Sequence, residues 1–199
     1  MGPSSRCLLV VAAALAASGS PTRAQEPDST QPSRHGFWIA VGLGWSRAST
    51  TCSTCATPHL SGLARQVALG GSPSPHFLVG AEFNAWLVWG DDHGSRAISA
   101  VSGVLMWYPS RTGPWFLKAG LGVVKYLPAS SSALEASATS GVLGFGGDVH
   151  VSRRVSLTPS LSVFATPPLK NFTLDASSVT PAEPAAMMVV ELGLGVSWH

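Results

Sequence analysis

The sequence predicts an all-β fold: an eight-stranded antiparallel up-and-down transmembrane β-barrel. Three observations predict it. Charge is scarce, at 11% Asp, Glu, Lys and Arg beside 45% hydrophobic residues, where ordinary soluble domains carry about 25% charge. Apolar residues recur at every second position in segment after segment, which is the period of a strand. No stretch reaches the ~18 consecutive apolar residues that a membrane helix needs. A closed barrel is then the architecture able to cross a bilayer without leaving backbone groups unpaired.

The N-terminal stretch "MGPSSRCLLVVAAALAASGSPTRAQ" has Arg6, an apolar run over 8–17 and small residues before a cleavage point. This is the pattern of a secretory signal peptide, placed over 1–24. Cys7 precedes the apolar run, so it is not placed for lipid attachment after cleavage. The chain holds 12 basic and 10 acidic residues. Removing Arg6 and Arg23 leaves ten of each, so the exported chain is formally neutral. With no basic cluster interleaved with aromatics, nucleic-acid binding is excluded. Residues 25–35, polar and twice interrupted by proline, read as a disordered leader. Residues 36–199 read as the barrel domain.

The first strand is the clearest. In "FWIAVGLGW", Phe37, Ile39, Val41, Leu43 and Trp45 share one face, and Trp38, Ala40, Gly42 and Gly44 the other. A strand of a soluble sandwich would put polar and charged residues on that second face. The same contrast returns over 76–89, 115–124, 141–151, 154–164 and 189–198. Gly-Leu-Gly occurs three times, near Leu43, Leu121 and Leu194. No copy opens a helix as a dinucleotide-binding loop would, so each reads as strand, leucine outward and glycine inward. Weaker signals over 59–70 and 96–108 complete eight strands. In the first of these Arg65 falls in phase with the apolar residues; in the second neither face is distinguishable. The connections alternate long and short, as outer loops and periplasmic turns do in outer-membrane barrels. Trp107, Tyr108, Trp115, Phe116 and Trp198 fall at the short-turn end and Trp45, Trp89 and Tyr126 at the other. They are candidates for two interfacial girdles.

On these features residues 36–199 resemble the small outer-membrane β-barrel proteins, the OmpA-like transmembrane barrel superfamily. The resemblance implies residence in the outer membrane of a diderm bacterium, with the lipid bilayer and the barrel-assembly machinery as partners. It implies a monomer without cofactor or metal, with a non-enzymatic structural or surface-interaction role through loops 46–60, 127–140 and 166–184. Members usually end on an aromatic residue, whereas here Trp198 is penultimate and His199 last. No peptidoglycan-binding domain follows, so cell-wall anchoring is not expected.

A barrel of eight strands is narrow, filled by side chains or holding one small ligand. The polar residues on inward phases are Glu82, Asn84, Lys118, Asp148, His150 and Glu191. Opposite charges there must pair, because isolated ones are too costly; a lumen plugged by this network is expected. His150 and Ser152 resemble the histidine and nucleophilic serine, two residues apart, of the outer-membrane lipid A deacylases, a pair able to support acyl transfer; here they fall beside the turn at 152–154, on the wrong side for an outer-leaflet lipid-modifying acyl hydrolase. Cys52 and Cys55 in the first long loop are a candidate disulfide in an oxidising compartment, with a zinc site including His59 as the alternative. Arg65 on the lipid face would cost about 2–4 kcal/mol at mid-bilayer; a β-bulge turning it inward to Glu82 would remove that cost. The competing architecture is a soluble exported β-barrel whose large apolar faces point inward around a small apolar ligand.

Overall fold

The computed structural model describes residues 34, 36–51, 59–89, 95–127, 136–152, 154–167 and 186–199. The signal peptide over 1–24 lies outside them. So do the leader over 25–35, apart from Arg34, and the parts of the three long loops at 52–58, 128–135 and 168–185.

Nine strand segments occupy eight positions. They are β1 (Gly36–Thr51), β2 (His59–Ser74), β3 (Phe77–Trp89), β4 (Ser95–Trp107), β5 (Trp115–Leu127), β6 (Ala136–Gly147), β7 (Val149–His150), β8 (Val155–Ala165) and β9 (Ala186–Trp198). Each pairs antiparallel with its neighbour in the chain, and β1 pairs with β9 to close the ring. β6 and β7 are one strand interrupted at Asp148, and both lie against β8. The fold is the closed eight-stranded antiparallel barrel that the alternation predicts. β1 and β2 each run for 16 residues, well beyond the ~9–11 a tilted membrane strand requires. They carry paired backbone into what the sequence reads as loop.

The register fixes the barrel's dimensions. Followed across the ladder, Trp38 leads through Gly70, Gly80, Val104, Gly120, Val142, Phe164 and Val189 back to β1 at Ala48. The circuit returns ten residues along the strand it left. With strands about 4.8 Å apart and about 3.3 Å per residue, that stagger tilts the strands by about 40° and sets a backbone diameter of about 16 Å. Such a tube has room for side chains and little else.

The bulky half of each strand faces outward. Leu43 is 68% exposed, Leu121 75% and Leu194 53%. Phe37, Phe83, Val101, Leu143, Phe145 and Leu192 are exposed as well. This overturns the soluble-barrel alternative, which requires those faces inside. A continuous apolar exterior of this kind far exceeds the few hundred Å² a soluble monomer exposes. Trp107, Trp115 and Trp198 are exposed at the short-turn end, and Trp45 and Trp89 at the other, their rings edge to face at 5.7 Å. Tyr108 and Phe116 depart from the girdle assignment: both are buried, their rings 5.4 Å apart inside the barrel. The side chain of Tyr126 lies outside the described residues.

The strand over 96–108 is ambiguous in sequence because both of its faces are apolar. Ile98, Ala100, Val104 and Met106 point inward, and Val101, Leu105 and Trp107 outward. Arg65 faces outward and is exposed. The ladder runs unbroken through it, with Leu43 on one side and Ala85 on the other. The irregularity in β2 lies between Gly71 and Ser74 instead, so no bulge turns Arg65 toward Glu82. The loop sorting is also looser than expected, because the connection over 108–114 at the short-turn end is longer than the one over 90–94.

The inward glycines reflect curvature. At a tilt of about 40° on so small a radius, neighbouring strands coil closely. A Cβ at Gly122 would land on the backbone of Val101 and Ser102. At Gly141, which faces outward between Ser140 and Val142, a Cβ would meet nothing within 4 Å. Gly122→Ala should therefore lower the unfolding free energy by about 1–3 kcal/mol, as overpacking does. Gly141→Ala should stay within about 0.5 kcal/mol of wild type. Urea unfolding of the refolded barrel, followed by tryptophan fluorescence, reads both; equal effects would contradict the curvature argument.

Candidate functional site

The interior is layered. At the loop end an apolar cluster gathers Ala48, Leu60, Trp86, Val88, Ile98, Val124, Phe164, Met187 and Val189. Toward the short-turn end a second holds Trp38, Ala68, Leu78, Met106, Tyr108 and Phe116. Between them lies a polar layer centred on Glu82, 1% exposed, and Lys118, 3% exposed. Lys118 Nζ donates to both carboxylate oxygens of Glu82, at 3.0 and 2.8 Å. Gln66 Nε2 donates to the same carboxylate at 2.7 Å and Asn84 Nδ2 at 2.8 Å. Glu191, also buried, accepts from Trp86 Nε1 at 2.7 Å. Four of the six inward residues singled out in the sequence therefore share this layer: Glu82, Asn84, Lys118 and Glu191.

Asp148 belongs to a separate cluster at the short-turn rim. It interrupts the strand between β6 and β7, and its N–H donates to Pro114 O at 2.9 Å. Its carboxylate accepts from Tyr108 Oη at 2.7 Å and from Thr158 Oγ1 at 2.9 Å. Arg34 is buried beside it. Its guanidinium donates to the carbonyls of Arg111 and Gly113 at 3.1 and 2.7 Å, and stacks on the Tyr108 ring with Cζ 3.8 Å from the centroid. Gly36, with φ at 89°, occupies a left-handed conformation that glycine adopts without strain, at the point where the chain passes from Arg34 into β1. His199 Nε2 lies 4.0 Å from Asp148. Burial pushes the His199 imidazole below its ordinary pKa, with Asp148 pulling the other way. Burial, reinforced by Asp148, raises the Tyr108 phenol and keeps it a donor.

His150 does not join either cluster. The interruption at Asp148 breaks the alternation, so Val149 and His150 are both exposed. The imidazole Nδ1 meets Ser156 Oγ at 2.7 Å, across the tight turn, while Ser152 Oγ accepts from Arg154 N. The serine that His150 meets is thus Ser156 and not Ser152. Ser156 is itself buried, and the nearby carboxylate of Asp148 is taken up by Tyr108 and Thr158. Cys52 and Cys55 lie outside the described residues, as does the side chain of His59. Among the described residues there is no cluster of three or more His, Cys, Asp or Glu suited to a metal ion.

Sequence reasoning missed Gln66, Trp86, Arg34, Tyr108 and Thr158. The first two were within reach, since both lie on inward phases, Trp86 in step with Glu82 and Asn84. Arg34 precedes the first periodic residue, and no local pattern marks it.

An apolar exterior around a packed, layered interior defines a transmembrane β-barrel fold. Comparison with solved structures agrees. The chain superposes on Neisserial surface protein A with a TM-score of 0.59 at 10% identity, over 82% of this chain and 96% of that one. Ail, the attachment invasion locus protein of Yersinia pestis, gives 0.48 at 13% identity over 82% and 99%. OprG, an outer membrane protein of Pseudomonas aeruginosa, gives 0.42 at 14% identity over 85% and 99%. At such identities the likeness is one of fold. The sequence matches no protein-family model and no curated protein sequence.

The ion pair yields a sharp test. Lys118→Met leaves the Glu82 carboxylate buried without its cation and should cost about 3–5 kcal/mol of unfolding free energy. Adding Glu82→Gln should restore at least half of that loss, measured by urea unfolding of the refolded barrel. A double variant no more stable than Lys118→Met would show that the charge pair is not the source of the loss.

Proposed function

We propose that this chain is a non-enzymatic, monomeric β-barrel of the outer membrane of a diderm bacterium, with a structural or surface-interaction role. In this reading residues 1–24 direct export and are cleaved, and the barrel-assembly machinery inserts the barrel. The rim bearing Arg34, Asp148 and His199 faces the periplasm. The carrying observation is the outward placement of the bulky half of every strand. It is supported by the fold shared with Neisserial surface protein A, which its name places at a cell surface. The interior carries no catalytic arrangement in this reading. The side chains of the polar layer and of the apolar cluster at the loop end fill the tube, so in this reading the lumen is plugged and conducts neither solute nor ions. The long connections at the opposite end, 52–58, 128–135 and 168–185, the first two shorter than the sequence reading gives because β1, β2 and β6 extend into them, are then the parts that meet the surroundings.

The full chain expressed in a diderm host should fractionate with outer membranes. Unheated, it should migrate on denaturing gels as a folded form that shifts on boiling. In planar bilayers it should show no stepwise conductance. Recovery from the soluble periplasm would overturn the membrane assignment, and stable channel steps would overturn the plugged lumen.

A further inference from the structure

The outward face of the strands is asymmetric in charge. Among the described residues it carries Arg47, Arg65 and Lys125, all exposed, and no carboxylate. All three lie in the half of the barrel nearer the long loops. Arg65 is the deepest. On the ladder it stands between Leu43 and Ala85, two residues below Leu63, which faces Trp45. Arg47 is on the neighbouring strand opposite Ser61, which in turn faces Trp89. Trp45, on the same strand as Arg47, and Trp89, which faces Ser61, form an aromatic pair on this outward face toward the loop end. Interfacial tryptophan marks headgroup depth.

A cation at this depth has two physical outlets. It can run its apolar stem along the barrel and lift its head toward the interface, or it can find an anion. The small Ala85 and Ser99 continue the Arg65 row, so bulky neighbours do not screen that side of its stem. The carboxylate that the sequence suggests for it, Glu82, is turned inward and occupied by Lys118, Gln66 and Asn84. Arg47 and Arg65 lie four ladder positions apart, about 14 Å between Cα atoms for strands of this spacing. Two arginine side chains extending toward each other close most of that distance. Guanidinium groups bind phosphate through paired N–H donors, and basic pockets at membrane level select anionic headgroups.

We propose that Arg65 and Arg47 form a binding site for the phosphate of an anionic lipid headgroup in the leaflet at the loop end. This rests on the membrane reading above. Lys125, three strands from Arg65 on the same ladder row, is too far round the barrel to share the site and serves as the control.

The test refolds the full barrel into phosphatidylcholine vesicles with increasing fractions of lipid A, and reads the midpoint of heat unfolding by gel shift. The wild type and Lys125→Gln should gain several degrees. The double variant Arg47→Gln, Arg65→Gln should need about tenfold more lipid A for the same gain, as loss of charge-assisted hydrogen bonds entails. Equal gains in wild type and double variant, or an equal loss in Lys125→Gln, would overturn the site in favour of diffuse surface attraction. Inorganic phosphate added in a neutral detergent should give no comparable gain; if it does, the ligand is free phosphate and the lipid assignment falls. A barrel that enters vesicles yet ignores lipid A refutes this site alone, whereas one that never enters vesicles refutes the membrane reading and the site with it.

Discussion

The constraint on which the rest depends is closure. A sheet in hydrocarbon cannot leave an edge, because each unpaired N–H or C=O there costs several kcal/mol. Pairing β1 with β9 removes the edge, and a circuit that returns ten residues along β1 fixes tilt and radius together. The interior volume is then set before any side chain is chosen. Trp38 shares its ladder row with Gly70 and Gly80, and Gly120 lies between Val104 and Val142. Glycines accompany the large inward side chains because a tube about 16 Å across cannot take a bulky group at every inward position.

Closure also explains why the charges lie where they do. A carboxylate inside so narrow a tube has little water to draw on and must find its donors in the protein. Glu82 accepts two bonds from Lys118 and one each from Gln66 and Asn84. Burial of both Glu82 and Lys118 keeps the local dielectric low, which strengthens a satisfied pair and raises the cost of a broken one. The layer is therefore stable only as a unit.

Much of this was legible in the sequence because a barrel has a two-residue period and two unlike faces. The outward leucines of the Gly-Leu-Gly repeats, the inward Glu82 and Lys118, and the number of strands all follow from alternation. What escaped has identifiable causes. The faces of β4 could not be told apart because Ile98 and Val101 are equally apolar and only closure decides which one enters. The interior is more apolar than its small-residue appearance suggests, since Trp38, Trp86, Phe116 and Phe164 occupy phases otherwise filled by glycine, alanine and serine. His150 misled because alternation holds only while the ladder is unbroken, and the ladder breaks at Asp148. Arg65 misled in the opposite way: the pattern placed it outward correctly, and the expectation that burial cost must turn it inward was the error. The ladder instead runs through Arg65 without a bulge.

The rim shows how one irregularity serves the whole seam. Asp148 leaves the ladder, and its carboxylate meets Tyr108 from the end of β4 and Thr158 from β8. Arg34, which precedes β1, and His199, which follows β9, approach the same group. The β1–β9 seam is the pairing of greatest sequence separation, hence the one with the largest loop-closure cost. Contacts that hold both flanks of that seam to a single buried carboxylate offset part of this cost where the connections are short. The same geometry accounts for the residue after Trp198. Alternation along β9 makes Trp198 the outward position at the rim, where an aromatic ring meets the interface. The next residue must turn inward, and a histidine there meets Asp148 instead of lipid. Trp198 is thus the outward aromatic at this rim, and His199 belongs to the interior.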